Sequence, residues 1–218
     1  LIVKILELNQ ENLEILKSKL NAGYPIIVPT DTNYNLCCLP DNRMAINRIF
    51  EYKIRPKNKP LSIFMSNPND WEKYGKTSQT NLMKLLVDEF WPGALNIVVE
   101  NISPFHYAIN DSSTISLGCV QNEVFREFVE YLGGVVAITS ANISGTADDL
   151  LITEEVADEH MGDKVDYLLK SNVESLATKS STIIKVNDIG TVTILREGDI
   201  SKKEIQNVLQ KEGYVIEK

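Results

Sequence analysis

Residues 53–61 are KIRPKNKPL, and residues 140–145 are SANISG. The first segment places four cations within seven residues of a chain whose net charge is −8, and its two prolines restrict the backbone that carries them. The second segment follows an apolar run at 135–139 that is typical of a strand, and its hydroxyls, amide and backbone N–H groups are all able to face an anion. Together they predict a polyphosphate site split between two distant segments, and neither segment is a Walker A loop.

Each segment alone has a simpler interpretation. A cluster of Lys and Arg is commonly a solvated loop, and a segment rich in Ser, Asn and Gly is commonly a turn that uses local hydrogen bonds. The two prolines favour a fixed loop over a loose tail. Because both segments occur in one chain, we give more weight to phosphate binding.

Six segments, in order along nearly the whole chain, resemble the motifs of a known family, the threonylcarbamoyl-AMP synthases with the YrdC-like fold. The matching segments are PTDTNYNL at 29–36 (family PTETVYGL), KIR with KPL at 53–61 (family KxR and KPL), FWPG at 90–93 (family FWPGP(L/A)T), SANISG at 140–145 (family SANxSG), STII at 181–184 (family STVV) and LREG at 195–198 (family LRxG). Six ordered matches are hard to obtain by chance.

The resemblance implies a fold, an activity and a set of substrates. The fold would be α/β, a single YrdC-like domain over residues 1–218, built on a twisted mixed sheet with helices and a large concave face. The enzyme would be a nucleotidyltransferase, L-threonylcarbamoyladenylate synthase. It would convert L-threonine, bicarbonate and ATP into threonylcarbamoyl-AMP and pyrophosphate, for the threonylcarbamoyladenosine modification of tRNA. ATP would be a substrate, accompanied by Mg²⁺.

The same resemblance implies roles for individual residues. Lys53 and Arg55 would be catalytic residues. The ATP site would consist of Lys53, Arg55, Lys59, Ser140, Asn142 and Arg196, and the threonine site of Thr32 and Ser181. No dedicated metal site is expected, because Mg²⁺ is held mostly by nucleotide phosphates and water. These roles agree with the chemistry, since attack on the α-phosphorus needs alignment and neutralisation of phosphate charge, which Arg and Lys provide.

The chain departs from the family pattern at one end of the expected site. Residues 115–120 are ISLGCV where the family commonly has VGVRVP, so Gly118 replaces the arginine that would bind the threonine carboxylate. A hydrogen bond to a charged group contributes about 1.5–3 kcal/mol, so its loss would weaken amino-acid binding roughly ten- to a hundredfold. Asn33 and Asn35 replace a valine and a glycine, and Lys185 stands where the family has an aspartate.

Two interpretations of these departures stay open. In one, another cation, Lys185 or Lys179, replaces the arginine and the enzyme is intact. In the other, the chain is a divergent paralogue that has changed or lost its second substrate. Such a paralogue would bind nucleotide, double-stranded RNA or tRNA without threonine chemistry, with an affinity for RNA that falls with salt, or would activate a different small carboxylate or carbamate.

Composition sets the broad class of the protein. The 218 residues, 43% of them hydrophobic, are enough for one substantial core, and the net charge of −8 opposes nonspecific binding through a basic surface. The three cysteines and two histidines lack the spacing of zinc sites or of a disulfide framework. No segment has the ~18 apolar residues of a membrane span. We therefore expect a cytoplasmic protein, a monomer or a weak dimer, without membrane contact.

Helix caps and apolar periodicity predict the elements that flank the motifs. The expected caps are Asn9 or Asn12, Asp41, Ser78, Thr153, and Ser201 with Glu204. The helix capped at Asp41 should end just before the basic segment, and the motif at 29–36 is expected to be a loop. Of the nearby aromatic residues, Tyr34 is a better candidate for a ligand contact than Trp91, which is expected to pack in the core.

Overall fold

The computed structural model describes residues 2–146 and 150–217. Its strands are β1 (Lys4–Leu6), β2 (Ile26–Pro29), β3 (Tyr34–Cys38), β4 (Ser62–Met65), β5 (Gly75–Lys76), β6 (Leu95–Asn101), β7 (Thr114–Gly118), β8 (Val135–Ser140), β9 (Tyr167–Leu169), β10 (Thr182–Val186), β11 (Thr191–Arg196) and β12 (Val215–Ile216). Its helices are α1 (Gln10–Asn21), α2 (Arg43–Lys53), α3 (Thr80–Phe90), α4 (His106–Ile109), α5 (Glu123–Tyr131), α6 (Glu154–Met161) and α7 (Lys202–Lys211), with a 3₁₀ helix at Pro68–Lys73.

The described strands form one sheet in the order β1-β9-β2-β3-β8-β4-β7-β6-β10-β11-β12, with β5 paired to β6. Neighbours are of both kinds: β4 with β7 and β6 with β10 are parallel, whereas β3 with β8 and β6 with β7 are antiparallel. The predicted mixed α/β sheet is therefore confirmed. The two halves of the predicted phosphate site come together because β8, which leads into residues 140–145, lies beside β4, which follows the basic segment.

The two faces of the sheet carry separate apolar clusters. One face packs against α2, α3, α6 and α7, and the other packs against α1 and α5 through Leu13, Leu16, Leu20, Val124, Phe125, Phe128 and Val129. Among the described residues, β6, β10 and β11 contribute nothing to the second cluster. Helices α1 and α5 thus cover only one end of that face, and the strands beyond it are left to form a concave surface.

Side-chain caps explain most helix boundaries. The caps at Asn9, Thr153 and Ser201 with Glu204 are confirmed, and each accepts a hydrogen bond from a backbone N–H in the first turn. Two predicted caps are wrong by one residue. Asn42 rather than Asp41 caps α2, and Gln79, without a side-chain hydrogen bond, precedes α3 where Ser78 was expected.

The strand β3 was not predicted, and its presence corrects the assignment of residues 29–36 to a loop. This segment is polar at its start, but β2 and β8 pair with it on both sides. A strand that is paired on both sides satisfies its backbone groups whatever its intrinsic propensity. The motif is therefore a short turn between two antiparallel strands.

The three cysteines are fully buried and free. Burial raises the pKa of the Cys119 thiol to about 12, so this side chain stays protonated. Within residues 2–146 and 150–217, the helices are all too short or too polar to span a membrane.

Candidate functional site

A cavity of about 400 Å³ opens on the concave surface beside the covered end of the sheet. Most of the predicted site residues line it: Lys53, Arg55, Lys59, Ser140, Arg196, Thr32 and Ser181. Asn142 does not line the cavity and is buried behind its wall, with 1% of its surface exposed. The structure therefore gathers residues that are up to about 160 positions apart in sequence, as the split site required.

Lys53 is the last residue of α2, and only 1% of it is exposed. Its ammonium donates to the backbone oxygens of Ser140 at 2.5 Å and Asn142 at 2.6 Å, and lies 3.4 Å from the amide oxygen of Asn142. In return, the N–H of Ser144 donates to the Lys53 carbonyl at 2.8 Å. Lys53 thus fixes residues 140–144 against the end of the helix, and its charge lies in the cavity wall.

The turn after α2 is fixed by its own arginine. Ile54 ends the helix in the left-handed conformation, with φ of 51°. Arg55 then donates from Nε to the Lys59 carbonyl and from Nη2 to the Pro60 carbonyl, both at 2.8 Å. These bonds bend the basic segment back on itself, and they leave the Lys59 side chain exposed at the cavity.

Arg196 approaches the cavity from the far end of the chain. Its Nε and Nη2 donate to the carbonyl of Ser181 at 3.0 and 2.9 Å. Gly198 allows this approach, since a Cβ atom there would lie 2.1 Å from the carbonyl oxygen of Ser180. Ser181, held in this way, places its Oγ 3.1 Å from Oγ1 of Thr32. The structure therefore brings together the two residues of the expected threonine site.

The side chain of Asp31 helps to hold the turn that carries Thr32. The carboxylate of Asp31 accepts hydrogen bonds from the N–H groups of Gln121 and Asn122, at 2.7 and 2.6 Å, where α5 begins. Burial raises the pKa of Asp31, and these two backbone hydrogen bonds oppose the rise. The carboxylate thus joins this turn to the start of a helix.

The two asparagines that differ from the family pattern make further bonds in this turn. Asn33 donates to Ser180 Oγ at 3.0 Å and accepts from the N–H of Ile152 at 2.9 Å. Asn35 donates to Thr30 Oγ1 at 3.2 Å and to the Asn33 carbonyl at 2.8 Å. Both therefore have structural partners, and a chance substitution would not be expected to find them.

Gly118 lies at the covered end of the cavity, where β7 pairs with Phe64 of β4 and with Asn96 of β6. A Cβ atom at this position would lie 2.5, 2.7 and 2.9 Å from three atoms of the Phe64 ring. That ring packs edge to face on Phe125, with centroids 6.2 Å apart. The space beside the backbone of Gly118 is therefore filled by an aromatic ring rather than by a cation.

Neither proposed replacement cation lines the cavity. Lys185 pairs with Val98, two residues along β10 from Ile183, and its side chain is exposed. Lys179 lies in a loop, and its own backbone N–H donates to the Asp199 carboxylate at 3.2 Å. The basic residues that do line the described part of the cavity are Lys53, Arg55, Lys59 and Arg196, which are the residues expected to bind phosphates.

Sequence reasoning missed several lining residues. Ser62, Phe64 and Asn96 contribute to the floor, and the hydroxyl of Ser144 is buried in the wall without a hydrogen-bond partner among the described residues. The alternation of β4 and β6 could have pointed to Ser62 and Asn96, since polar residues in otherwise apolar strands mark a site or an open face.

Trp91 and Tyr34, the two aromatic residues considered for a ligand contact, do not line this cavity. Trp91 is buried and donates to the Leu95 carbonyl, so it packs as expected. The hydroxyl of Tyr34 accepts from the N–H of Ser171 at 3.3 Å and lines a neighbouring cavity of about 410 Å³. Tyr34 is not among the residues that line the cavity with the basic residues.

Comparison with known proteins shows the family of the chain. A family model described as Sua5/YciO/YrdC, telomere recombination, matches residues 18–198. The chain belongs to the Sua5/YciO/YrdC family. The putative threonylcarbamoyl-AMP synthase of Methanocaldococcus jannaschii is 34% identical over 205 residues, covering 91% of this chain and 93% of that protein. The threonylcarbamoyl-AMP synthase of Mus musculus is 26% identical, covering 94% and 73%.

Two solved structures support the YrdC-like fold. Pyrococcus abyssi Sua5 complexed with L-threonine has a TM-score of 0.82 at 23% identity, and the match covers 95% of this chain but only 61% of that chain. Escherichia coli YciO has a TM-score of 0.76 at 18% identity, with 91% and 98% covered. At these identities the likeness shows the fold alone, and the present chain spans about three fifths of the Sua5 chain.

Proposed function

We propose that this chain is an L-threonylcarbamoyladenylate synthase, which makes threonylcarbamoyl-AMP and pyrophosphate from L-threonine, bicarbonate and ATP for tRNA modification. The observation that carries the proposal is a single cavity that is lined both by four basic residues, Lys53, Arg55, Lys59 and Arg196, and by the paired hydroxyls of Thr32 and Ser181. The names of the relatives from Methanocaldococcus jannaschii and Mus musculus support the same activity.

The proposed reaction has two stages. Threonine and bicarbonate first give N-carboxythreonine, with loss of water. A carbamate oxygen then attacks the α-phosphorus of ATP, a new phosphorus–oxygen bond forms, and the bond to the β-phosphate breaks so that pyrophosphate leaves. The protein contributes alignment and neutralisation of charge on the phosphate oxygens, which are the main requirements of phosphoryl and nucleotidyl transfer.

The basic residues divide this work according to their positions. Arg55 and Arg196 are held by backbone carbonyls, so their guanidinium groups are preorganised beside the cavity. Lys59 is exposed and able to move onto a phosphate as a point charge. Lys53 keeps residues 140–144 in place, which leaves the buried hydroxyl of Ser144 to meet a phosphate oxygen.

Mg²⁺ is part of the proposal only as a companion of ATP. Within the described residues, no group of three or more His, Cys, Asp or Glu side chains is placed to hold a metal ion. We therefore expect the nucleotide phosphates and water to hold the ion, where it would neutralise phosphate charge. None of the steps assigned to this chain depends on it.

Pyrophosphate release tests the proposal. The purified protein is incubated with ATP, Mg²⁺ and bicarbonate, with threonine, serine, other amino acids or none. We expect release that needs both threonine and bicarbonate and falls strongly in Lys53→Met, while Lys57→Met, a change of an exposed lysine in the same segment, keeps activity. ATP binding without release for any amino acid would overturn the synthase assignment in favour of a nucleotide- or RNA-binding protein, and release with another small carboxylate would identify a different adenylate enzyme.

A further inference from the structure

Asn96 is a buried polar residue whose side chain no described residue satisfies. It lies in β6 between Gly118 of β7 and Ile183 of β10, and it lines the cavity with 8% of its surface exposed. Its backbone takes part in the sheet, but its amide makes no hydrogen bond with the described part of the chain. Buried amides in native proteins are nearly always paired, so this one is expected to find its partner in the cavity.

The other asparagines that line the cavity are already engaged. Both N–H groups of Asn35 have acceptors, on Thr30 and Asn33. Asn33 uses its oxygen and one N–H group to join Ile152 and Ser180. Among the described cavity residues, Asn96 is thus the amide that keeps two N–H donors and its oxygen for a ligand.

The position of Asn96 indicates which part of a ligand it meets. Its neighbours in the sheet are Gly118, which has no side chain, and Ile183, and the ring of Phe64 fills the space beyond Gly118. None of these three carries charge, and the next residue along the same row, beyond Ile183, is Arg196 of β11. Ile183 follows Ser181 by two residues on β10, so Asn96 stands near the Thr32 and Ser181 hydroxyls.

We propose that Asn96 is a specificity-determining residue that binds the α-carboxylate of the amino-acid substrate through Nδ2. This inference rests on the proposed function. A carboxylate needs N–H or O–H donors, and the guanidinium groups of Arg55 and Arg196 already donate to backbone carbonyls. The amide of Asn96 then takes the place, on the adjacent strand, of a cationic side chain that position 118 has no room to carry.

The test uses two substitutions of nearly the same size as asparagine. Asn96→Leu removes the donors, and Asn96→Asp replaces them by a carboxylate that repels the substrate carboxylate. We expect KM for threonine to rise about tenfold in the first variant and about a hundredfold in the second, with kcat and KM for ATP within twofold of wild type. Thermal stability should be unchanged or higher in Asn96→Leu, because that variant loses no protein hydrogen bond.

Several outcomes would overturn this inference. A lower KM for threonine in Asn96→Asp would show that the amide meets the amino end of the substrate. An unchanged KM in both variants of an active enzyme would show that Asn96 does not contact the amino acid, and would leave the proposed function intact. A lower melting temperature of Asn96→Leu with KM for ATP and threonine raised together would show a structural role. Calorimetric titration with threonine in the presence of ATP distinguishes the two failures. Absence of binding by wild type would overturn the proposed function and this inference together, whereas equal binding by wild type and Asn96→Leu would overturn only the role of Asn96.

Discussion

Replacing Lys53 by methionine tests how the two halves of the phosphate site are joined. Methionine keeps most of the buried apolar stem and removes the ammonium. The change removes the ammonium that donates to the carbonyl oxygens of Ser140 and Asn142, at a place where Lys53 is 1% exposed and water has little access. The Ser140 carbonyl keeps the N–H of Asn142 as a donor at 3.0 Å. We expect the segment after β8 to lose its fixed position and the whole protein to lose stability.

The size of the effect follows from these contacts. A hydrogen bond from a charged donor contributes about 1.5–3 kcal/mol, so two short bonds amount to roughly 3–6 kcal/mol. Removing the ammonium also removes the cost of its burial, which lowers the expected net loss to about 3 kcal/mol. For a protein of this size, one kcal/mol shifts the melting temperature by about 2–4 °C, so the variant should melt roughly 6–12 °C lower.

Thermal unfolding followed by circular dichroism, with and without ATP, measures both consequences. We expect the lower melting temperature together with a smaller stabilisation by ATP, because Ser140 and Ser144 of this segment line the cavity in which we propose that ATP binds. The matched control is Lys57→Met, which removes an exposed charge from the same segment and should change the melting temperature by less than about 2 °C. An unchanged melting temperature in Lys53→Met would refute the role of the ammonium as the anchor of this segment.

Three further predictions concern the amino-acid side of the cavity. Burial raises the pKa of Asp31 above its usual ~3.9, so the ionised carboxylate lowers the stability of the fold at neutral pH, and this cost vanishes below about pH 4. The difference in stability between wild type and Asp31→Asn should therefore favour wild type more at pH 4 than at pH 7. The reverse order in thermal unfolding would contradict the raised pKa. Thr32→Val and Ser181→Ala should each raise KM for threonine about fivefold in steady-state kinetics, and the double variant should raise KM by less than the product of the two single effects, because the two hydroxyls bond each other. A double variant whose KM equals that product would show that the hydroxyls act independently. The free energy of unfolding of Gly118→Ala, measured in urea, should be about 1–3 kcal/mol lower than that of wild type, since the added Cβ would overlap the Phe64 ring. Adding Phe64→Leu to this variant should recover part of the loss, and equal stability of Gly118→Ala and wild type would mean that the ring moves freely.

Local rules predicted those parts of the fold in which one side chain determines a boundary. Asn9, Thr153 and Ser201 cap helices as expected, because a side-chain oxygen satisfies a backbone N–H that the helix leaves free. The second helix was placed one residue early, since the neighbouring residues Asp41 and Asn42 offer the same kind of cap and only the tertiary path of the chain selects between them. The strand β3 was missed because pairing from both sides, rather than its own composition, makes it a strand.

The candidate site was also predicted only in part, because some of its residues are marked by local sequence patterns and others by long-range contacts alone. The basic residues were found because charge in an acidic chain and ordered motifs are visible in the sequence. Asn96 and Ser62 were missed although they are polar residues in otherwise apolar strands, because alternation marks only an open face and the pairing of β4 and β6 with distant strands makes that face line the cavity. The role of Lys53 as an anchor also depends on a contact with residues about ninety positions away, which no local pattern indicates.

The two sides of the cavity are therefore built on different principles, and this difference explains why only one of them departs from the family pattern. On the phosphate side, Lys53, Arg55 and Arg196 each donate to backbone carbonyls, so their positions are part of the fold and a substitution would disturb the loops they hold. At the end of the cavity near Gly118, the Thr32 and Ser181 hydroxyls contact each other, and position 118 has no side chain. A guanidinium at position 118 would require the Phe64 ring to leave its place against Phe125. An arginine at position 118 and the present position of the Phe64 ring therefore exclude each other.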